Sequence, residues 1–255
     1  MGYCKGGKGI MVRFFTDKEN ILEDKINIIG DDVNHVRNVL RLRVGDNVVI
    51  CDGDCNDYIS EITSIEKSVV TAKILSAKKN DTESNIDITL FQCVLKSDRM
   101  DYVIQKATEV GVKRIVPVIS ERTIVKIKSE KDKENKIKRW TSIAEGASKQ
   151  SGRGIVPEIA PIISFKEICN EFDNIDKVII PYEENMDIGL KSVLKDNASS
   201  IGVIIGAEGG FCEDEVRFVS EKGAISVTLG KRILRAETAG VVTAAIIGYE
   251  LGDMG

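Results

Sequence analysis

Histidine, tryptophan and proline are scarce in this sequence: its 255 residues include one His, one Trp and four Pro, and only 5% are aromatic. No apolar run reaches the roughly 18 residues that a membrane span requires, so no membrane partner is expected. The six cysteines form no C-x-x-C pair, and His35 has no Cys or carboxylate at a metal-ligand spacing. These absences argue against a zinc site, and we expect no metal. They also indicate small buried thiols in a reducing compartment, which we expect to be the cytoplasm.

The first ten residues, MGYCKGGKGI, lack the apolar stretch of a signal peptide. Gly2, Gly7 and Lys8 fit a phosphate-binding G-x-x-x-x-G-K loop, but Gly9 stands where such a loop needs Ser or Thr, and no strand precedes it. We therefore expect residues 1–10 to be a flexible leader before a second start methionine, Met11.

Charge is distributed unevenly along the chain. In total, 36 Lys and Arg face 40 Asp and Glu, and this net charge of −4 alone argues against a nucleic-acid partner. Residues 96–153, however, carry a net charge of +7, between segments of −3 (1–95) and −8 (154–255). Within the basic segment, residues 126–139 alternate in sign as an exposed, ion-paired helix does. A basic patch that meets phosphate is the alternative, and composition leaves both open.

The N-terminal third reads as short strands rich in Val, Ile and aromatic residues, and such strands at close spacing predict a small β-barrel. The apolar spacing within Asp31–Leu40 predicts a short amphipathic helix. We expect the barrel domain over 11–77 and a polar linker over 78–85. The predicted strands are Val12–Phe15, Lys25–Ile29, Asn47–Cys51, Asp57–Ile65 and Val69–Ile74.

From residue 86 onward strands alternate with helices, which predicts an α/β domain (86–255) whose parallel sheet is covered on both faces. Ser97 is expected to cap the first of these helices. The predicted strands are Ile86–Leu95, Ile115–Ile119, Val178–Pro181, Ile201–Ile205 and Ser226–Leu229. The predicted helices cover 97–110, 130–150, 187–195, 213–222 and 236–251.

Two strand ends carry glycine-rich motifs. Ile204-Ile-Gly-Ala-Glu-Gly-Gly-Phe211 runs from a buried strand into a turn, where glycine lets backbone N–H groups approach a ligand closely. Leu229-Gly-Lys-Arg-Ile-Leu-Arg-Ala-Glu-Thr-Ala239 repeats that arrangement and opens a helix. Each motif alone is equally typical of a tight strand-to-helix turn without a ligand. Together they can form two walls of one pocket, and neither has the G-x-G-x-x-G pattern of a dinucleotide site.

Cationic residues also cluster near polar loops. Lys96-Ser-Asp-Arg99 is one such cluster, and Glu145-Gly-Ala-Ser-Lys-Gln-Ser-Gly-Arg153 is another. Arg41 and Arg43 add cations at a loop of the predicted barrel. They can hold phosphate or base edges, or they can be ordinary exposed surface cations.

With these motifs in place, the chain resembles the ribosomal RNA small-subunit methyltransferase E family, whose members methylate N3 of a uridine in 16S ribosomal RNA. The resemblance runs from about Met11 to the end, with Ala207 where the family typically has Pro. It rests on RFF (13–15), HVRNVLRLRVGD (35–46), KSDRMDYVIQKATEVGV (96–112), ASKQSGR (147–153), IIGAEGG (204–210) and LGKRILRAETA (229–239).

The resemblance implies a small N-terminal PUA-like β-barrel followed by a SPOUT α/β domain whose C-terminal segment threads a trefoil knot. It further implies a homodimer that binds S-adenosyl-L-methionine in the knot and takes 16S rRNA or the small ribosomal subunit as partner. The implied cofactor-binding residues are Ile180, Pro181, Tyr182, Glu183, Gly206, Ala207, Glu208, Gly209, Gly210, Leu229, Gly230, Ile233, Leu234, Arg235 and Thr238.

Methylation of N3 needs alignment of the reacting atoms and a group that takes the N3 proton. We hypothesise that Arg235 stabilises the negative charge that develops on the uracil oxygens. Glu237 or Glu208 would orient the base or assist the removal of the N3 proton. A non-catalytic RNA-binding protein of the SPOUT type and a small-molecule α/β enzyme remain the alternatives. The residues expected to bind RNA are Arg13, Arg41, Arg43, Arg99, Lys106, Lys149 and Arg153.

Overall fold

The computed structural model describes residues 11–185, 187–195 and 198–255, so the leader predicted over 1–10 lies outside the described residues. The chain divides into two compact units. One comprises the residues up to Glu83 together with Ser148–Val156, and the other comprises Ser84–Ala147 and Pro157–Gly255. Among the helices described, none combines the length and apolar character that a membrane crossing demands.

The first unit is built on one five-stranded sheet. Its strands alternate buried and half-exposed residues, so that one face points into a core. Strands β1 and β3 pair in parallel, and the remaining neighbours pair antiparallel. The strands are β1 (Arg13–Phe15), β2 (Lys25–Ile29), β3 (Asn47–Cys51), β4 (Asn56–Ile65) and β5 (Val69–Lys79). Their order in the sheet is β1-β3-β4-β5-β2.

A short helix completes the core of this unit. Helix α1 (Asp31–Asn34) continues as a π-helical turn over His35–Val39, and this stretch buries Val33 and Val36. His35 meets the ring of Phe14 edge-on, with 6.4 Å between ring centroids. The buried core residues are Phe14, Ile26, Ile28, Val33, Val36, Val48, Ile50, Ile62, Val70 and Ala72.

Buried ion pairs hold Ser148–Val156 in the first unit. The guanidinium of Arg153, whose side chain is only 4% exposed, donates to Glu83 with 2.6 Å between Nη2 and Oε2. Beside it, Arg13 donates from both terminal nitrogens to the Asp57 carboxylate, at 2.6 Å each, and Asn80 donates to the same carboxylate at 3.0 Å. These contacts explain why this segment belongs with the N-terminal strands, and not with the second domain as the sequence predicts.

We expect the Asp57 carboxylate to make the free energy of unfolding decrease in acid. Burial alone would raise the pKa of Asp57, but the Arg13 guanidinium and the Asn80 amide outweigh it and hold that pKa below its usual value. A lowered pKa contributes stability above the unfolded-state pKa, near 4, that disappears as the pH falls through the folded-state pKa. We expect Asp57→Asn to cost roughly 3 kcal/mol at pH 7, because it leaves a buried guanidinium without its anion.

Denaturant unfolding of the wild-type protein and of Asp57→Asn between pH 7 and pH 3 measures this contribution. The difference between their free energies of unfolding should narrow as the pH falls. Asp54→Asn serves as the matched control, because Asp54 pairs with Lys18 at an exposed site. A destabilisation by Asp57→Asn that is the same at both ends of the pH range contradicts the prediction.

The second unit contains a seven-stranded parallel sheet. Its central strands are buried on both faces, as in sheets covered by helices on each side. The strands are β6 (Asp87–Cys93), β7 (Arg114–Ile119), β8 (Glu158–Ile159), β9 (Ile163–Ser164), β10 (Lys177–Pro181), β11 (Ser200–Ile205) and β12 (Ile225–Val227). Their order is β12-β10-β11-β6-β7-β8, with β9 also paired to β7.

Five α-helices, each after a strand, are present in the described part of this unit. They are α2 (Asp98–Glu109), α3 (Glu130–Ser151), α4 (Leu190–Val193), α5 (Glu213–Glu221) and α6 (Ala236–Leu251). The apolar face predicted for α2 is buried at Met100, Val103, Ile104 and Ala107. Helix α6 packs against α2 and β11. A Cβ at Gly240, near the start of α6, would lie 3.2 Å from Oε1 of Gln92 and 3.5 Å from the side chain of Ile205, so this end of the helix is near the carboxyl ends of β6 and β11.

The structure corrects several predicted elements. The helix predicted over 187–195 is reduced to the single turn α4. Lys78 and Lys79 belong to β5 and not to a linker, because they pair with Asp57 and Asn56 of β4. Ser97 stands at the cap position of α2, but its side chain makes no capping hydrogen bond. Strands β8 and β9 and the 3-10 helix over Phe165–Glu171 were not predicted; the two strands have only two residues each.

A glycine inside α3 offers a direct test of helix propensity. A Cβ at Gly146 would meet no atom within 4 Å, so we expect Gly146→Ala to stabilise the protein by about 0.5–1 kcal/mol. Gly223→Ala is the matched control with equal space, because Gly223 has a φ of +99° that alanine tolerates poorly. The temperature of thermal unfolding should rise for Gly146→Ala and fall for Gly223→Ala. A change in the same direction for both variants contradicts the prediction.

Candidate active site

A cavity of about 330 Å³ opens at the carboxyl ends of β10, β11 and β12. This volume lies within the range of small-molecule sites, roughly 300–1,000 Å³, and the carboxyl edge of a parallel sheet is where such ligands bind. Three segments form the walls, one after each strand. Its lining residues are Pro181, Tyr182, Glu183, Ile205, Gly206, Ala207, Glu208, Gly210, Phe211, Thr228, Leu229, Gly230, Lys231, Arg232, Ile233, Leu234, Arg235, Ala236 and Ala239.

The turn after β11 is narrow because it contains glycine. The N–H of Gly210 donates to the carbonyl of Ala207 at 2.9 Å, and Gly210 has a φ of +69°. A Cβ at Gly206 would lie 3.2 Å from the carbonyl carbon of Gly210 and 3.3 Å from the ring of Phe211. The backbone therefore folds back on itself here, and any side chain at Gly206 would press on the turn.

Side chains from the neighbouring strands hold this turn. Arg122, in the loop after β7, donates from Nη1 to the Gly209 carbonyl at 2.8 Å. Gln92, at the end of β6, donates from Nε2 to the Gly206 carbonyl at 3.4 Å. The sequence offered no signal for either contact, because they depend on which strands lie side by side.

The wall after β12 carries the cations of the site. Arg235 stands at the cap position of α6, and its carbonyl accepts hydrogen bonds from the N–H groups of Thr238 and Ala239 at 2.8 Å. Its side chain is exposed, and no carboxylate of the described residues pairs with it. Ile233, in the same wall, is 80% exposed.

Tyr182 and the cysteines are poor candidates for a catalytic base. Desolvation and the neighbouring Glu184 raise the pKa of Tyr182 to about 12, so the phenol is neutral at physiological pH. Burial raises the pKa of Cys51 to about 11 and that of Cys93 to about 12. The base must therefore be sought among the carboxylates near the cavity.

Most of the expected cofactor residues meet at this one cavity. Ile180, Gly209 and Thr238 do not line it: Ile180 is fully buried in β10, and the carbonyl of Gly209 faces Arg122. Of the two expected catalytic residues, Arg235 lines the cavity, whereas Glu237 is placed beside Arg99, 3.9 Å from its Nε. Seven further residues line the cavity outside this expected set: Ile205, Phe211, Thr228, Lys231, Arg232, Ala236 and Ala239. All but Thr228 lie within the two glycine-rich motifs, and Thr228 stands one residue before the second motif.

The cations expected to contact RNA fall into three groups. Arg13 and Arg153 are a correction: their side chains are 11% and 4% exposed and are committed to Asp57 and Glu83, so they present no accessible charge. Arg41 and Arg43 are exposed at their loop and pair with no carboxylate of the described residues.

The other three expected cations have carboxylate partners. Lys149 pairs with Asp32 at 2.8 Å and is 17% exposed. Lys106 pairs with Glu109, three residues along α2, also at 2.8 Å. Arg99 faces two glutamates near the cavity.

Comparison with known proteins gives the same picture along nearly the whole chain. A family model of the RNA methyltransferase domain matches residues 82–248, and one of the RNA methyltransferase PUA domain matches residues 28–75. The ribosomal RNA small subunit methyltransferase E of Bacillus subtilis (strain 168) is 31% identical over 249 residues, which cover 94% of this chain and 97% of the relative. The enzyme of that name from Buchnera aphidicola (subsp. Acyrthosiphon pisum) is 33% identical over 238 residues, 91% of this chain and 93% of the relative.

A solved structure extends the similarity to the fold. The ribosomal RNA small subunit methyltransferase E of Neisseria gonorrhoeae, bound to S-adenosyl methionine, has a TM-score of 0.87 and 34% identity, covering 96% of this chain and all of that one. The fold and the site therefore define an RNA methyltransferase with an N-terminal PUA domain. Within this class, the chain belongs to the ribosomal RNA small subunit methyltransferase E family.

Proposed function

We propose that this protein transfers a methyl group from S-adenosyl-L-methionine to N3 of a specific uridine in 16S ribosomal RNA. The observation that carries the proposal is the glycine-walled cavity at the carboxyl ends of β10, β11 and β12. Both glycine motifs line it, in a chain whose relatives carry the name of this methyltransferase. It would act in the processing of the small-subunit rRNA.

The cavity suits the chemistry of this cofactor. S-Adenosylmethionine carries a sulfonium, an ammonium and a carboxylate, and the walls offer Glu183 and Glu208 together with Lys231, Arg232 and Arg235. Because Gly206 has no side chain, a ligand can approach the backbone of this close turn, and an adenine edge can hydrogen-bond to it. We propose that three segments hold the cofactor: Pro181–Glu183, Gly206–Gly210 and Leu229–Arg235. Ile180 and Thr238 would support these segments without lining the cavity.

When bound, S-adenosylmethionine supplies an electrophilic methyl group, and the protein must provide charge stabilisation and a proton acceptor. Arg235 has no carboxylate partner among the described residues, so its guanidinium is available to negative charge that develops on the uracil oxygens. A carboxylate, Glu208 or Glu237, takes the N3 proton. The nitrogen lone pair forms the bond to the methyl carbon, and the electrons of the sulfur–carbon bond go to sulfur.

Exposed cations in each unit are proposed to contact RNA. In the first unit these are Arg41 and Arg43. In the second unit, part of the basic segment is consumed by internal pairs such as Lys133 with Glu130 and Lys136 with Asp132. The exposed lysines of that segment without such a pair among the described residues are Lys96, Lys126, Lys128, Lys131 and Lys138.

Helix α6 supports a homodimer. It is apolar around its whole circumference, and it buries only the side that includes Thr243, Ala244 and Ile247. Val242 and Ile246 on the remaining surface stay half-exposed, which is typical of a helix that packs against a second copy. We also propose that the first sheet closes as a PUA-like barrel and that the C-terminal segment of the second unit threads a trefoil knot.

The test has two stages. Isothermal titration calorimetry measures S-adenosylmethionine binding, and mass mapping then locates the methyl group in 16S rRNA or small subunits treated in vitro. The proposal expects binding and one new methyl group on N3 of one uridine. Binding without methylation would favour a non-catalytic RNA-binding protein, and absence of binding would favour a small-molecule enzyme with another ligand.

The affinity for RNA should fall as the salt concentration rises, because cations that contact phosphate release counterions. In a plot of log affinity against log salt concentration, Arg41→Ala should reduce the steepness of the slope by about one.

A further inference from the structure

Arg99, expected from the sequence to grip RNA, lies between two carboxylates beside the cavity. Its Nη1 is 3.6 Å from Oε1 of Glu208, and its Nε is 3.9 Å from Oε1 of Glu237. The carboxylate side chains are 16% and 15% exposed, whereas that of Arg99 is 43% exposed. Each glutamate also keeps its Oε2 buried without a hydrogen-bond partner among the described residues.

Strand order explains how residues so distant in sequence meet. Strands β6 and β11 are neighbours, with Gln92 opposite Ile205, so the turns that follow them lie side by side. The first of these turns contains Ser97 with a φ of +43°, a region that costs a non-glycine residue about 1–2 kcal/mol. In this conformation the N–H of Lys96 donates to Oε1 of Glu208 at 3.1 Å. The strained turn therefore presents both a backbone donor and Arg99 to the same carboxylate.

A cation shared by two carboxylates can fix the position of both. Like charges near one site repel each other, and a cation within ion-pair distance of both offsets that repulsion. The groups of the described residues that face this pair are Arg99 from α2, the Lys96 N–H from the turn before it, Glu208 from the glycine turn and Glu237 from α6. Arg99 is the cation within ion-pair distance of both.

We infer that Arg99 is a positioning residue, which holds the carboxylates of Glu208 and Glu237 in place so that one of them can accept the uridine proton. The inference rests on the proposed function, because it needs a reaction that releases a proton. It also replaces the expectation that Arg99 binds RNA phosphate, since the same guanidinium already serves the two glutamates.

The rate of methyl transfer, compared with the affinity for RNA, distinguishes these roles. Single-turnover methylation of 16S rRNA at saturating S-adenosylmethionine and saturating RNA would be followed for the wild type, Arg99→Gln and Arg99→Lys. Without the shared cation, the rate of Arg99→Gln should fall about tenfold, because the accepting carboxylate is no longer held in place. Arg99→Lys keeps the positive charge and should recover most of the rate.

Two controls accompany the series. Arg217→Gln removes an exposed arginine that pairs with Asp214 on α5, and it should leave the rate of methylation unchanged. RNA affinity, measured by filter binding, should stay within about twofold for Arg99→Gln, and calorimetry with S-adenosylmethionine checks that this variant retains its fold.

A wild-type rate in Arg99→Gln, a loss of RNA affinity that matches the loss of rate, or no recovery of the rate in Arg99→Lys would each overturn the inference. A wild-type protein that does not methylate the RNA would instead overturn the proposed function. The two failures are therefore separable.

Discussion

Replacement of Gly206 by valine should lower S-adenosylmethionine affinity by at least about 100-fold, which corresponds to roughly 2.7 kcal/mol. A Cβ at this position already lies 3.2 Å from the carbonyl carbon of Gly210 and 3.3 Å from the ring of Phe211. The two further methyl groups of valine must either displace this turn or enter the cavity that it lines. Calorimetric titration with S-adenosylmethionine measures the loss, and Gly206→Ala should give a smaller loss than Gly206→Val.

The matched control is Gly146→Val in α3, where a Cβ would meet nothing within 4 Å. It introduces the same side chain away from the cavity and should leave cofactor affinity unchanged. Thermal unfolding of Gly206→Val shows whether the variant is folded when it is titrated. Full affinity in a folded Gly206→Val variant would remove the glycine turn from the cofactor site.

Local patterns in the sequence predicted most of the second unit's architecture. The long helices α3 and α6 and the buried strands β10 and β11 have strong periodicity or continuous apolar runs, and their observed bounds differ from the predicted ones by one residue at most. The failures occur where no local pattern exists. Strands β8 and β9 have two residues each, so they depend on pairing with β7 and not on their own sequence.

The candidate site divides in the same way. Glycine motifs at two strand ends predicted two walls of the cavity, because a glycine turn at the carboxyl end of a strand is a local feature. Arg122 on Gly209 and Arg99 between the glutamates could not be predicted, because those contacts depend on the order of strands in the sheet. For Arg13 and Arg153, sequence showed the charge but not the buried carboxylates that neutralise it.

Replacement of Arg235 by alanine should reduce single-turnover methylation by about 100- to 1,000-fold, the usual cost of removing one donor that stabilises developing negative charge. Arg235 is exposed, lines the cavity and has no carboxylate partner among the described residues, so its guanidinium has no structural ion pair to lose. We therefore expect the unfolding temperature to change little and cofactor affinity to fall by much less than the rate.

That difference between rate and affinity is the decisive measurement for Arg235, because a residue that only holds the cofactor would lose both together. Arg235→Lys should recover part of the rate, since lysine keeps the charge but not the planar fork of donors. Arg217→Ala, which removes an exposed arginine from α5, should retain the wild-type rate. If Arg235→Ala methylates at the wild-type rate with saturating cofactor, uracil charge must be stabilised elsewhere. Lys231 and Arg232 in the same wall are then the residues to substitute next.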